Sequence, residues 1–215
     1  MFNKQDGVHN FIKNVSKADS AEIQGYLSEI EGNNEFHNSL KENQTNYDSK
    51  RFSGWGWGIG STLGKVLYAL CRKIRPDIVV ETGVASGVSS SYILCSLEEN
   101  KNSTLYSIDL ARQEGQCGWI IPKNLRDRWQ LIMGRSSEEL PSLLDRLKVI
   151  DTFLHDSEYT YQNMFFEYQA GWKHLRPGGL LLSHNIDTND AFSDFCRNVR
   201  LKCYEFKELG GLSKV

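Results

Sequence analysis

Hydrophobic and polar residues follow two alternating patterns through most of the chain. Short apolar runs rich in β-branched residues predict strands, and longer runs with apolar residues at i, i+3 and i+4 spacing predict helices. The predicted strands are 78–81, 104–109, 129–133, 151–154 and 180–183, followed by short strands at 204–206 and 212–215. The predicted helices are 61–74, 89–97, 137–147, 160–174 and 191–199. Alternating strands and helices are typical of a parallel sheet with helices on both faces, so we predict an α/β fold with a doubly wound, mostly parallel sheet.

The polar, asparagine-rich residues 1–50 contain one clear helical face, and a glycine- and tryptophan-rich loop follows them up to residue 60. The apolar stripe of this helical face consists of Ile23, Tyr26, Leu27 and Ile30. Asp19 followed by Glu22 has the pattern of a capping box, and Gly32 fits the end of this helix. We therefore predict an N-terminal helical appendage over residues 1–60 and a main domain over residues 61–215. Either the appendage serves as a cap or a homodimer contact, or the stripe only packs on the main domain.

The loop after the first predicted strand, residues 81–87, reads Glu-Thr-Gly-Val-Ala-Ser-Gly. Gly83 and Gly87 allow a sharp turn and a close approach of a ligand, and Ala85 between them is nearly as small. In open α/β sheets, ligands bind beyond the carboxyl ends of the strands. The helix that starts near Ser89 directs free N–H groups to the same place, which favours a carboxylate or a phosphate. We therefore predict that a cofactor binds at this loop.

The spacing of the glycines distinguishes between cofactors. A dinucleotide fingerprint that starts at Gly83 requires glycine at two positions where the chain has Ala85 and Val88. The chain instead has the pattern Glu-x-Gly-x-x-x-Gly-x-Ser. That pattern is matched by Glu81, Gly83, Gly87 and Ser89. It resembles the first motif of class I S-adenosylmethionine-dependent methyltransferases, especially of the branch that methylates hydroxyl groups of small molecules.

From Tyr68 to the C-terminus the chain resembles the methyltransferase-24 family, which is grouped with macrocin-type O-methyltransferases and cephalosporin-hydroxylase-like proteins. Members read His-Asp-Ser-x-His-Thr-Tyr after the fourth strand and Ser-Asp-Asp after the fifth. This chain has Tyr159 in place of the second His, and His184 and Asn185 in place of the Asp pair. The resemblance implies a Rossmann-like sheet with strand order 3-2-1-4-5-7-6 and S-adenosylmethionine as the cofactor. The cofactor-binding residues that follow are Glu81, Gly83, Ala85, Gly87, Ser89, Asp109, Ser136 and Asp156.

Two of these residues end neighbouring strands. A carboxylate at Asp109 can accept hydrogen bonds from both ribose hydroxyls, an arrangement that dinucleotide enzymes share, or it can simply stabilise a turn. By resemblance, Ser136 contacts the adenine edge. A serine at 136 or 137 also fits the cap of the next helix, and the two roles are compatible.

Methyl transfer is an in-line displacement, so the enzyme positions the acceptor and, for a hydroxyl, helps to remove its proton. Asp156, next to His155, follows the fourth strand, and His184 follows the fifth. We predict Asp156 and His184 as catalytic residues, because either can accept a proton. Metal-dependent O-methyltransferases hold Mg²⁺ at the corresponding positions. The candidate ligands for Mg²⁺ or Mn²⁺ are thus Asp156, His184 and Asn185, although a histidine among them shifts the preference towards transition metals.

Aromatic residues near these loops are candidates for the acceptor pocket. They are Trp55, Trp57, Tyr159 and Tyr161. The glycines around the two tryptophans favour a loop that closes over the ligand. The alternative is that both tryptophans pack between the appendage and the main domain.

Composition bears on binding partners, on membrane association and on the state of the cysteines. The 25 basic and 27 acidic residues are scattered, which argues against a nucleic-acid groove. No segment approaches the ~20 apolar residues that a membrane helix needs, and residues 1–6 do not resemble a leader, so we expect a soluble, cytoplasmic protein. The five cysteines form no Cys-x-x-Cys pair and are expected to be reduced, mostly structural thiols.

The leading hypothesis is an S-adenosylmethionine-dependent O-methyltransferase that acts on a small hydroxylated molecule. A protein of the same fold that binds the cofactor without turnover is the alternative, because Tyr159 and His184 depart from the family pattern. An NAD-dependent oxidoreductase is less favoured because the glycine spacing is wrong.

Overall fold

The computed structural model describes residues 4–48, 60–100, 103–110 and 117–215. In these parts of the chain the strands are β1 (Ile78–Thr82), β2 (Thr104–Asp109), β3 (Trp129–Met133), β4 (Ile150–His155), β5 (Leu175–Ser183), β6 (Tyr204–Phe206) and β7 (Leu209–Ser213). They form one sheet in the order β3-β2-β1-β4-β5-β7-β6. Strands β1 to β5 are parallel, whereas β7 runs antiparallel to both β5 and β6. The predicted fold class and strand order are confirmed.

Helices cover both faces of the sheet. They are α1 (Lys4–Ser16), α2 (Ser20–Gly32), α3 (Asn34–Asp48), α4 (Ser61–Ile74), α5 (Val88–Asn100), α6 (Ser136–Leu147), α7 (Tyr161–His174) and α8 (Ala191–Val199). Two short 3₁₀ turns occur at Lys123–Arg128 and Ile186–Thr188. One apolar cluster packs α1, α2, α4 and α5 on one face, and a second packs α6, α7 and α8 on the other. The carboxyl ends of β1 to β5 remain open between these layers.

Two strands begin earlier than their sequences predict. β5 starts at Leu175 although Pro177 and two glycines follow, because Gly178 and Gly179 continue the backbone pairing with Lys214. β7 includes two glycines, of which Gly210 lies so close to an aromatic ring that a Cβ would be 2.5 Å from Phe192. In β7 the glycine permits close packing, whereas in β5 Gly178 has a φ of +75° where the register with β4 shifts between Ile150 and Thr152.

The apolar stripe of α2 packs within the chain. Ile23 and Ile30 are buried in the same cluster as α4. The predicted capping box is confirmed, since Asp19 accepts from the Glu22 N–H and the Glu22 carboxylate accepts from the Asp19 N–H. The Glu22 side chain also pairs with Lys73 at 2.7 Å. Of the two alternatives for the stripe, the structure favours packing on the main domain.

The cysteines differ in part from the prediction. Cys196 and Cys203 form a disulfide, so the prediction of reduced thiols is wrong for these two. Their Cα atoms are 6.1 Å apart because the chain reverses after α8 at Arg200, which has a left-handed φ of 56°. The described free cysteines, Cys71, Cys95 and Cys117, are buried. Among the described helices, none has the length and apolar character needed to cross a membrane.

Candidate active site

A cavity of about 720 Å³ opens at the carboxyl ends of the parallel strands. It is lined by the loops that follow β1 to β5 and by part of α3. The predicted site residues that it brings together are Gly83, Ala85, Asp109, Ser136, Asp156, His184 and Asn185. A cavity of this size lies within the range of small-molecule sites.

The loop after β1 has a backbone that few residues tolerate. Gly83 and Gly87 have φ angles of +83° and +94°, and Ala85 has +48°. A Cβ on Gly83 would lie 2.0 Å from the carbonyl oxygen of Asp156, and a Cβ on Gly87 would lie 2.8 Å from the Gly118 Cα. The two glycines therefore allow the loops after β1, β2 and β4 to meet at one point.

Asp109 holds this loop from the end of β2. Its Oδ2 accepts the backbone N–H groups of Val84 at 2.8 Å and Ala85 at 3.0 Å. The turn-stabilising role that the sequence left open is thus present, and the side chain also lines the cavity. A contact with ribose stays a prediction.

Glu81 and Ser89 lie behind the loop and do not line the cavity. Glu81 is fully buried, and its carboxylate accepts hydrogen bonds from Ser89 at 2.5 Å, Ser90 at 2.6 Å and Ser107 at 2.8 Å. Burial raises the pKa of Glu81 to about 7, and the three hydroxyl donors partly oppose this. These bonds join β1, α5 and β2 beneath the glycine loop, so the geometry favours support of the loop over the direct cofactor contact expected for Glu81 and Ser89. Gly87 likewise shapes the turn without lining the cavity.

Ser136 is the first residue of α6 and lines the cavity. The N-cap of α6 is Arg135, whose side chain makes no capping hydrogen bond. The alternative that Ser136 or Ser137 caps this helix is therefore wrong. The predicted adenine contact of Ser136 is untested.

Asp156 is the centre of a polar cluster opposite the glycine loop. Its Oδ1 accepts from the Tyr159 hydroxyl at 2.8 Å and lies 2.7 Å from Nδ1 of His184. Burial lowers the pKa of His184, but the hydrogen bond and charge of Asp156, with a contribution from Glu208, outweigh it and raise the pKa overall. Burial and the charge of Asp156 raise the pKa of Tyr159. The two predicted catalytic residues are thus in direct contact.

The predicted metal ligands do not form a magnesium site. Among the described residues, no group of three His, Cys, Asp or Glu side chains could hold a metal ion. Asp156 and the Nδ1 of His184 are joined by a hydrogen bond, and His155 is directed away from them to Glu167. The predicted set of Asp156, His184 and Asn185 contributes one carboxylate and one amide, which are few of the oxygen ligands that Mg²⁺ requires. The donor set does not fit Mg²⁺.

The aromatic predictions are met in part. Tyr159 lines the cavity, whereas Tyr161 donates to Asp194 and stacks on Phe165 outside it. Trp55 and Trp57 lie outside the described residues.

Sequence reasoning missed two aromatic residues that line the cavity. Tyr47 of α3 stacks on Trp119, with ring centroids 3.8 Å apart and planes at 7°. The loop that carries Trp119 is bonded to the glycine loop, since Ile120 N–H donates to the Ser86 carbonyl. Asn43 of α3 donates to the Ile120 carbonyl at 3.0 Å. A polar helix and a glycine-flanked loop, far apart in sequence, gave no signal that their rings would meet.

Comparison with known proteins places this site in context. Residues 80–186 match the model of a family described as a methyltransferase domain. A protein from Mycobacterium sp. (strain JLS), named "Putative O-methyltransferase", is 28% identical over 137 residues, which are 63% of this chain and 60% of that protein. The match thus spans less than two thirds of that relative.

Solved structures share the fold at low sequence identity. The O-methyltransferase TomG from Streptomyces achromogenes, involved in tomaymycin synthesis and crystallised with S-adenosylmethionine, aligns with a TM-score of 0.64 and 17% identity over 82% of this chain and 90% of its own. An O-methyltransferase from Bacillus cereus in complex with S-adenosylhomocysteine aligns with a TM-score of 0.62 and 16% identity over 82% and 91% of the two chains. Similarity at this level supports the fold.

Proposed function

Because residues 80–186 of this chain match the model of a methyltransferase domain family, we propose that the protein transfers the methyl group of S-adenosylmethionine to a hydroxyl of a small molecule. The observation that carries the proposal is the cavity in which the glycine loop faces the Asp156–His184 pair. The loop is the expected donor site, and the pair is the expected proton acceptor.

The donor half of the cavity has the groups that an adenosyl cofactor needs. Gly83 and Ala85 present backbone without bulky side chains, and Asp109 brings a carboxylate to the end of β2. Ser136 and Gly134 form the wall beyond β3. We assign the ribose to Asp109 and the adenine edge to Ser136, as in the resemblance, and we assign Glu81 and Ser89 to the support of the loop.

In the half of the cavity that we assign to the acceptor, the proposed base Asp156 lies beside aromatic side chains. S-adenosylmethionine supplies a methyl group on a positively charged sulfur, and transfer leaves S-adenosylhomocysteine. Both hydrogen bonds to Asp156 end on Oδ1, so its Oδ2 is the atom that we propose takes the proton of the acceptor hydroxyl. His184 holds this carboxylate in place, and Tyr47, Trp119 and Tyr159 enclose the acceptor.

This scheme needs no metal for the proton transfer. Asp156 and His184 are already joined by a hydrogen bond, and the predicted ligand set has few of the oxygen atoms that Mg²⁺ requires. We expect activity to persist in EDTA. Strict dependence on added Mg²⁺ or Mn²⁺ would contradict this part of the proposal.

Isothermal titration tests the donor site. Wild-type protein should bind S-adenosylmethionine, and Asp109→Ala should weaken binding by about 10-fold or more, because it removes a charged hydrogen-bond acceptor from the loop and the ligand. Asp145→Ala, on the exposed part of α6, is the control and should bind normally. Absence of binding by the wild type, or full affinity of Asp109→Ala, would overturn the proposal.

Release of S-adenosylhomocysteine over a panel of hydroxylated acceptors tests turnover. Asp156→Asn should lower kcat by about 10²-fold or more while the cofactor Kd changes little, since the base acts on the acceptor. Binding of the cofactor without turnover of any acceptor would favour the alternative, a binding protein of the same fold.

A further inference from the structure

Glu167 of α7 is a fully buried carboxylate that does not line the cavity. It accepts four hydrogen bonds from side chains, namely Thr82 at 2.5 Å, His155 at 2.6 Å, Ser157 at 2.7 Å and Asn163 at 2.9 Å. Burial raises the pKa of Glu167, but the bonds and the charge of His155 outweigh it and lower the pKa overall. The carboxylate is therefore shared among several elements of the fold.

The four donors have one feature in common, which is their place at the edge of the cavity. Thr82 ends β1 immediately before Gly83, whereas His155 and Ser157 stand on either side of Asp156. Asn163 lies on the first turn of α7 and, like Ser157, lines the cavity. Glu167 thus binds both the strand that carries the donor loop and the segment that carries the proposed base.

The backbones of these two segments also meet directly. The Asp156 N–H donates to the Thr82 carbonyl at 2.8 Å, and the space for a Cβ on Gly83 is filled by the Asp156 carbonyl. Gly83 has no side chain, so it adds no side-chain packing to this backbone contact. The neighbouring side chains of Thr82, His155 and Ser157 support this contact by hydrogen bonding to Glu167.

We infer that Glu167 is a positioning residue, which sets the distance between the donor loop and Asp156. The inference rests on the proposed methyl transfer, in which acceptor and methyl group must be aligned to within a fraction of an ångström. A purely stabilising role is a weak explanation, since burying a carboxylate carries a desolvation cost that its hydrogen bonds must first offset. The two oxygens of Glu167 accept hydrogen bonds from β1, from the end of β4 and from α7. These bonds fix the positions of the three segments relative to one another.

The variant Glu167→Gln tests this inference, because it keeps the shape but turns one acceptor oxygen into a donor group that faces other donors. Tyr168→Phe is the matched control. It lies next in the same helix, is equally buried and loses one buried hydrogen bond, to Ser183, which does not line the cavity. Urea unfolding of both variants gives the stability loss against which the other measurements are compared.

We expect kcat of Glu167→Gln to fall about 10–100-fold, while its Kd for S-adenosylhomocysteine stays within about 3-fold of the wild type. Tyr168→Phe should keep kcat. Amide hydrogen exchange with S-adenosylhomocysteine bound supplies a readout independent of turnover. The Asp156 and Gly83 amides should exchange faster in Glu167→Gln, and the mid-strand Val80 amide should not.

Several results would overturn the inference. They are unchanged exchange at Asp156 and Gly83, a kcat loss in Tyr168→Phe equal to that in Glu167→Gln, and a loss of cofactor affinity in proportion to kcat. If Glu167→Gln does not fold, Asn163→Ala removes one donor only, and faster exchange at Asp156 is again the expected result. Loss of all cofactor binding by the wild type would instead count against the proposed function.

Discussion

Gly83 is the single residue at which the donor loop leaves no room for a side chain. With a φ of +83° and a Cβ position 2.0 Å from the Asp156 carbonyl oxygen, any substitution both strains the backbone and separates β1 from β4. Gly83→Ala should lower the free energy of unfolding by about 2–5 kcal/mol and abolish cofactor binding. Urea unfolding and isothermal titration measure the two effects.

Gly25 is the matched control for that substitution. It lies inside α2, and a Cβ there would meet no atom within 4 Å. Gly25→Ala should stabilise the protein by about 0.5–1 kcal/mol through helix propensity and leave binding unchanged. If Gly83→Ala were as stable as Gly25→Ala, the close approach of the two loops would be refuted.

At the residue scale, sequence reasoning found the positions at strand ends but not the direction of every side chain. Asp156 and His184 were both predicted as catalytic residues because they follow the fourth and fifth strands, and the carboxyl ends of parallel strands share one edge of the sheet. Glu81 belongs to the motif of the glycine loop and was predicted to bind the cofactor, yet its side chain is buried among serines from α5 and β2. That burial depends on packing between elements, which a local motif does not contain.

At the scale of elements, the Cys196–Cys203 disulfide joins α8 to the residue immediately before β6. A bridge that closes so short a loop should contribute about 2 kcal/mol by restricting the unfolded chain. The double variant Cys196→Ala/Cys203→Ala should therefore unfold at lower urea concentration than the oxidised wild type. Wild-type protein in reductant should unfold like the variant, and identical curves with and without reductant would contradict the bridge.

The elements themselves could be predicted wherever periodicity was strong. The bounds of α4, β2, β3 and α8 agree with the sequence pattern because the apolar residues there recur at regular helix or strand spacing. The start of β5 and the glycines of β7 could not be predicted, since their pairing is set by the partner strand and by a packed aromatic ring. The Tyr47–Trp119 stack was hidden for the same reason, because it depends on where α3 lies.

At the scale of the whole molecule, the buried Glu81 makes the free energy of unfolding depend on pH. Its pKa rises from the ordinary 4.5 to about 7 because burial disfavours the charged form. Below pH 4.5 the carboxyl is protonated in both states. Between about pH 4.5 and 7 the unfolded chain loses the proton while the folded chain keeps it, so increasing pH favours unfolding. The stabilisation present at low pH is therefore lost as the pH rises through about 7.

Glu81→Gln separates this contribution from those of other groups, because the amide resembles the protonated carboxyl and does not titrate. Between pH 4.5 and 8, the free energy of unfolding of the wild type should fall relative to that of Glu81→Gln by roughly 3 kcal/mol, at about 1.4 kcal/mol per pKa unit. Urea titrations at intervals of one pH unit measure the difference. Glu205→Gln, at an exposed position of β6, is the control and should run parallel to the wild type. Parallel curves for Glu81→Gln and the wild type would show that Glu81 is ionised in the folded protein near neutrality, and the three serines would then hold a carboxylate throughout.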